Sequence, residues 1–125
     1  MTNAAKNDAL AFGRIAEDQA SAFLQNRGYI VLDRNYHTRT GEVDIVARYG
    51  ETVAFVEVKA RGGSAYGYPR EAVDRRKQSR VVKTASSWLY KHGLDEANVR
   101  FDVIEIYGGR IYHWRNAFDA TDMVA

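Results

Sequence analysis

Asp44, Glu57 and Lys59 are the residues whose types and spacing could do chemistry together in this 125-residue sequence. Asp44 interrupts the apolar run GEVDIVAR, and Glu57 and Lys59 interrupt VAFVEVKA, so three ionisable groups stand where burial should exclude charge. Such placement is costly unless the charges are paired or bind a cation. Side chains alternate along a strand, so Glu57 and Lys59 at i and i+2 share one face while Val56 and Val58 pack on the other. A hairpin brings Asp44 alongside them. Two adjacent carboxylates raise each other's pKa unless a cation joins them, and a hard divalent ion with oxygen ligands is the natural partner. Magnesium, or manganese in its place, keeps several waters for a substrate phosphate. Such an ion lowers the pKa of a bound water and neutralises phosphodiester charge, while the Lys59 ammonium orients the nucleophile or stabilises the transition state. A structural alternative stays open, in which Glu57 and Lys59 form an ion pair near a sheet edge and Asp44 caps a turn.

Further acids flank this set. Glu17 has Gly13, Ala20 and Leu24 at its i−4, i+3 and i+7 positions and so borders an apolar helical stripe, whereas Asp18 neighbours Arg14, Ser21, Ala22 and Gln25. Glu17 is therefore the inward-facing candidate, either as a ligand acting through water or as a helix-border acid paired with a basic residue. Glu42 has the same parity as Asp44 and is a possible extra ligand, or a solvated residue at a strand start.

The elements that must position these groups are legible from periodicity. Phe12, Ala16, Ala20, Phe23 and Leu24 predict an amphipathic helix from about Asn7 to Arg27, with Gly28 as its stop. A short strand, Tyr29 to Leu32, is expected to fade into the polar loop DRNYHTRTG. Two strands, Glu42 to Arg48 and Thr52 to Ala60, flank a turn at Tyr49-Gly50-Glu51, and their Val, Ile and Phe content favours burial on both faces. The glycine-rich stretch ARGGSAYGY leads to a second helix expected from Pro69 to Lys91, with Val81, Val82, Ala85, Trp88 and Leu89 inward. Val99 to Tyr107 and Arg110 to Trp114 flank Gly108-Gly109, a hairpin signal, before a polar tail from about residue 116. The order helix, three strands, helix, two strands implies one α/β domain with a mixed sheet of about five strands.

Composition bounds the function. With 46% hydrophobic residues, 125 residues fit one compact domain with a real core. The chain has no cysteine, which excludes disulfides and thiolate metal sites. No basic start precedes an apolar run, and no segment is apolar enough to cross a bilayer, so a cytoplasmic protein is expected. A net charge of +2 permits nucleic-acid binding without demanding it. In the second helix Arg76, Arg80 and Lys83 fall at i, i+4 and i+7, with Lys77 one step round, a stripe that could follow a phosphate backbone or simply face solvent. Tyr66 and Tyr68 are candidates for base stacking or for ordinary packing. His37, His92 and His113 show no partner spacing and receive no role.

The helix GRIAEDQASAFLQNRGY, then GEVDIVAR and VAFVEVKAR, then GYPREAVDRRKQSRVVKTASSWL and RFDVIEI, together resemble the YraN-like family of the PD-(D/E)XK superfamily over nearly the whole chain. The resemblance implies a restriction-endonuclease-like core, Asp44 and Glu57 as metal ligands, Lys59 as the catalytic lysine, and Glu17 as the helical acid of junction-resolvase-like members. Val43 stands where the superfamily's motif has proline, a position at which many members differ. The expectation is a magnesium-dependent nuclease acting on DNA, and a branched, resolvase-like substrate would favour a symmetric homodimer. The competing expectations are a nucleic-acid-binding module that does no chemistry and an interaction protein whose acids are structural.

Overall fold

In a computed structural model the described residues are 3–60 and 74–119, with side chains described from Phe12 onward. Helix α1 runs Asn3–Asn26 and buries Ala16, Glu17, Ala20, Ser21 and Leu24 at helical spacing. It ends as the sequence predicts. The Tyr29 amide donates to the Leu24 carbonyl at 3.0 Å and the Gly28 amide to the Gln25 carbonyl at 3.1 Å, a Schellman closure that turns the chain into the sheet. Phe12 departs from expectation: it is 51% exposed, because the first turns of its stripe extend beyond the core and border a cleft.

The first strand, β1, spans Ile30–His37 and continues well past Leu32, where the sequence suggested a loop. Its polar residues are held by pairing with the next strand, down to Tyr36 opposite Val43 and His37 opposite Glu42. An edge strand can carry such a sequence because only one flank and part of one face are covered. Strand β2, Glu42–Tyr49, and strand β3, Thr52–Ala60, pair antiparallel, and Val53 to Glu57 are all buried, as expected of a central strand.

Helix α2, Arg75–Lys91, follows. Asp74 caps it, accepting the Lys77 amide at 2.8 Å, so the described helix begins at Arg75. The expected start at Pro69, with Tyr66 and Tyr68, lies outside the described residues. Val81, Val82, Ala85, Trp88 and Leu89 form the buried stripe, joined by Thr84. Strand β4, Asn98–Tyr107, then pairs parallel to β3, and β5, Arg110–Trp114, returns antiparallel across Gly108-Gly109. Both glycines have positive φ, 59° and 72°, which a two-residue turn of this kind requires.

The sheet order is β1-β2-β3-β4-β5, with one parallel pair among antiparallel ones. On one face α2 packs Trp88 against Phe55, Val46 and Phe101; on the other, α1 packs Leu24 against Ile45, Val56 and Ile104. This is an α/β fold with a mixed five-strand sheet between two helices, consistent with a restriction-endonuclease-like core. Among the described residues no helix is long and apolar enough to cross a membrane.

Candidate active site

The ladder between β2 and β3 has its last pair at Ile45 and Val56. Beyond that pair the Asp44 carboxylate stands in for a backbone acceptor, taking the Val58 amide proton through Oδ2 at 2.7 Å. Asp44 is thereby fixed beside the strand that carries Glu57 and Lys59. Burial, then the neighbouring Glu57 carboxylate, push its pKa up to about 7, with the Val58 amide pulling the other way and Glu17 and Glu42 adding smaller upward pushes. The sequence parity holds: Val56 and Val58 pack with the α1 side, while Glu57 is met from α2.

Glu57 is only 6% exposed, and its Oε1 lies 2.7 Å from the Lys77 ammonium of α2. Its Oε2 is buried with no hydrogen-bond partner among the described residues. Lys59 is half-buried, and its pKa is lowered by burial first and then by the nearby Lys77. Burial opposes the Lys77 charge as well, but its bonds to Glu57 and Lys59, with the fields of Glu57 and Asp44, together outweigh that and raise its pKa. Two lysines and two carboxylates thus share one junction of β2, β3 and α2.

Glu17 is buried, as its position on the helix predicts, and its Oε1 accepts from Arg34 Nε and from Asn35 Nδ2, each at 2.9 Å. Arg34 also bonds Asp18 at 2.5 Å. Asn35, in the left-handed region at φ 52°, lies between the Arg34–Ile45 and Tyr36–Val43 pairs and so stands across from Asp44. Glu17 is therefore tied to two β1 side chains next to the site, its charge met by Arg34, and it reaches Asp44 through its field.

A cleft of about 670 Å³ opens here, walled by Phe12, Glu17, His37, Glu42, Asp44 and Lys59 among others. A second, of about 880 Å³, lies between the β1–β2 turn and α2, walled by Arg39, Arg76, Lys77 and Arg80 and again by His37 and Glu42. The two share a wall. Of the basic stripe, Arg76, Arg80 and Lys83 are exposed, Arg76 and Arg80 line the cleft, and Lys77 turns inward to Glu57. That inward turn had a sequence signal: Lys77 precedes Val81 by four residues and so sits at the border of the buried stripe. Arg39 and His37 had none, because their role depends on where the turn docks.

The donor set suits a hard divalent cation held by Asp44 and Glu57, given the bare buried oxygen of Glu57 and the mutual repulsion felt by Asp44. No group of three or more His, Cys, Asp or Glu residues sits at metal-holding distance among the described residues, so two side chains would be completed by water or backbone oxygens. The remaining histidines are structural. His113 Nε2 bonds the buried Asp102 at 2.8 Å, and His92 stacks on Trp88 with ring centroids 3.9 Å apart.

Comparison with known proteins agrees with the sequence resemblance. A family model described as uncharacterised protein family UPF0102, the YraN family, matches residues 16–106. A UPF0102 protein of Desulforapulum autotrophicum is 48% identical over 117 residues, covering 90% of this chain and 97% of the relative. One from Persephonella marina is 43% identical over 107 residues, covering 86% and 92%. Another from Geobacter sulfurreducens is 47% identical over 108 residues, covering 82% and 84%. The matched span contains Glu17, Asp44, Glu57, Lys59 and Lys77, and the chain belongs to the UPF0102 family.

Proposed function

We propose that the chain is a divalent-metal-dependent nuclease of the cytoplasm, acting on DNA whose backbone lies along the basic cleft and reaches the Asp44–Glu57–Lys59 site. The observation that carries this reading is the shared wall: His37 and Glu42 border both the arginine-lined cleft and the carboxylate cleft. Arg39, Arg76 and Arg80 present charge to phosphates, which gives affinity without sequence preference. Asp44 and Glu57 hold magnesium or manganese, and Lys59 faces the charge that develops on the phosphate being cleaved. Such an ion, when bound there, would activate a water and neutralise phosphodiester charge. Asp44 is oriented beside the strand that carries Glu57 and Lys59 by the Val58 amide at its Oδ2.

The test is incubation of purified protein with magnesium or manganese and a panel of single-stranded, duplex, flapped and four-way DNA, with RNA alongside, and Glu57→Ala in parallel. Metal-dependent cleavage by the parent and none by the variant is the expected outcome. Equal cleavage by Glu57→Ala would falsify the assignment, and salt-sensitive binding without cleavage under any metal would leave a non-catalytic nucleic-acid-binding module.

A further inference from the structure

Lys77 faces two ways. Its ammonium is 2.7 Å from Glu57 Oε1, on a carboxylate whose other oxygen has no partner among the described residues, and the same residue lines the basic cleft. Its side chain keeps 36% of its exposure, against 7% for that of Glu57, so the lysine has solvent to move into and the glutamate does not. Lys59 stands close enough that the two ammonium groups oppose each other. A cation on Glu57 and Asp44 would add a third positive centre to this junction, and the group free to leave is Lys77.

We propose that Lys77 is an internal cation that occupies Glu57 in the metal-free protein, is displaced when a divalent ion binds, and then presents its charge to substrate phosphate in the basic cleft. The inference rests on the nuclease reading and deepens it by giving the site an exchange of cations. Without such a group the buried Glu57 would lack its contact ion pair before metal arrives, with only the more distant field of Lys59 to balance it. With it, metal binding and substrate binding are coupled: the ion that completes the active site also releases a phosphate contact. Coupling of this kind is reciprocal, so nucleic acid that engages Lys77 also favours metal entry.

Two measurements test it. Calorimetric titration of manganese into the parent, Lys77→Met, Arg76→Met and Glu57→Gln should show Lys77→Met binding about tenfold more tightly, the usual range for a competing contact removed. Arg76→Met, which removes a charge from the same cleft without touching Glu57, should stay within about twofold because solvent screens it. Independently, acetylation of lysines by a water-soluble succinimidyl ester, read by peptide mass spectrometry on the parent protein, should label Lys77 faster with manganese than with chelator. Glu57→Gln marks the rate of the released lysine. The labelling needs no Lys77 variant, so it decides the matter even if Lys77→Met fails to fold. Manganese binding that is lost in Glu57→Gln, with Lys77→Met no tighter than Arg76→Met or Lys77 labelling unchanged by metal, overturns the exchange and leaves the nuclease reading standing. If the parent and Lys77→Met both bind no metal, the exchange and the nuclease reading fall together.

Discussion

At neutral pH Asp44 is poised between its two charge states, because burial and the Glu57 carboxylate push its pKa up to about 7. In the unfolded chain the same group titrates near about 4. Below that value both states carry the proton and Asp44 has no net effect; between about 4 and about 7 only the folded state binds it, so stability falls as pH rises through this window and levels off above it. Asp44→Asn keeps an acceptor for the Val58 amide and removes the charge. It should therefore be more stable than the parent by about 1–2 kcal/mol near about pH 8, after allowance for solvent screening, and equal to it near about pH 3. Urea denaturation in chelator across that range checks this, and a parent as stable as the variant at the alkaline end would contradict it. Metal binding has the opposite slope, since the ligand must lose its proton; affinity should climb with pH up to about 7 and then plateau.

At the scale of elements, the site depends on how the β1–β2 turn seats on α2. A β-carbon added at Gly41 would lie 3.2 Å from both Arg80 Cβ and Thr84 Oγ1, a tight approach that makes the turn or α2 give by a few tenths of an ångström. Gly41→Ala should cost about 1 kcal/mol and shift the turn away from Arg80, weakening nucleic-acid binding severalfold in a fluorescence-anisotropy titration. Unaltered binding would mean that the turn does not shape the cleft. Sequence reading reached the elements whose pattern is local. The Val81, Ala85 and Trp88 stripe and the parity of Glu57 with Lys59 follow from helix and strand periods alone. It did not reach the far half of β1, whose polar residues are a strand only because Val43 and Glu42 pair with them. It set Lys77 one step round from the exposed stripe but did not pair it with Glu57, since helix position alone does not say which carboxylate a border lysine will meet.

For the whole molecule, charge placement outweighs net charge. A balance of +2 predicts weak attraction to nucleic acid, yet Arg39, Arg76 and Arg80 converge on one cleft. Binding to duplex DNA should therefore fall with salt along a log–log slope of about −3, and each arginine replaced should reduce it by about one. A slope near zero would remove the cleft as a phosphate track. On β4, next to β3, a second buried acid is held differently. Asp102 is buried and accepts two bonds from Arg100 at 2.9 Å, one from His113 at 2.8 Å and one from the Asn116 amide at 2.9 Å. Burial alone would raise its pKa, but these partners hold it below the usual carboxylate value. Asp102→Ala should cost about 3–5 kcal/mol by leaving Arg100 without a carboxylate partner, which chemical denaturation would register with the active-site residues untouched. Between Asp44 and Asp102 runs β3, and one of its amides is bonded to a titrating carboxylate: Val58 N–H to Asp44 Oδ2. Its resonance is consequently a spectroscopic gauge inside the centre, moving as Asp44 gains a proton, loses it or shares its electrons with a cation, and legible without any substrate at hand.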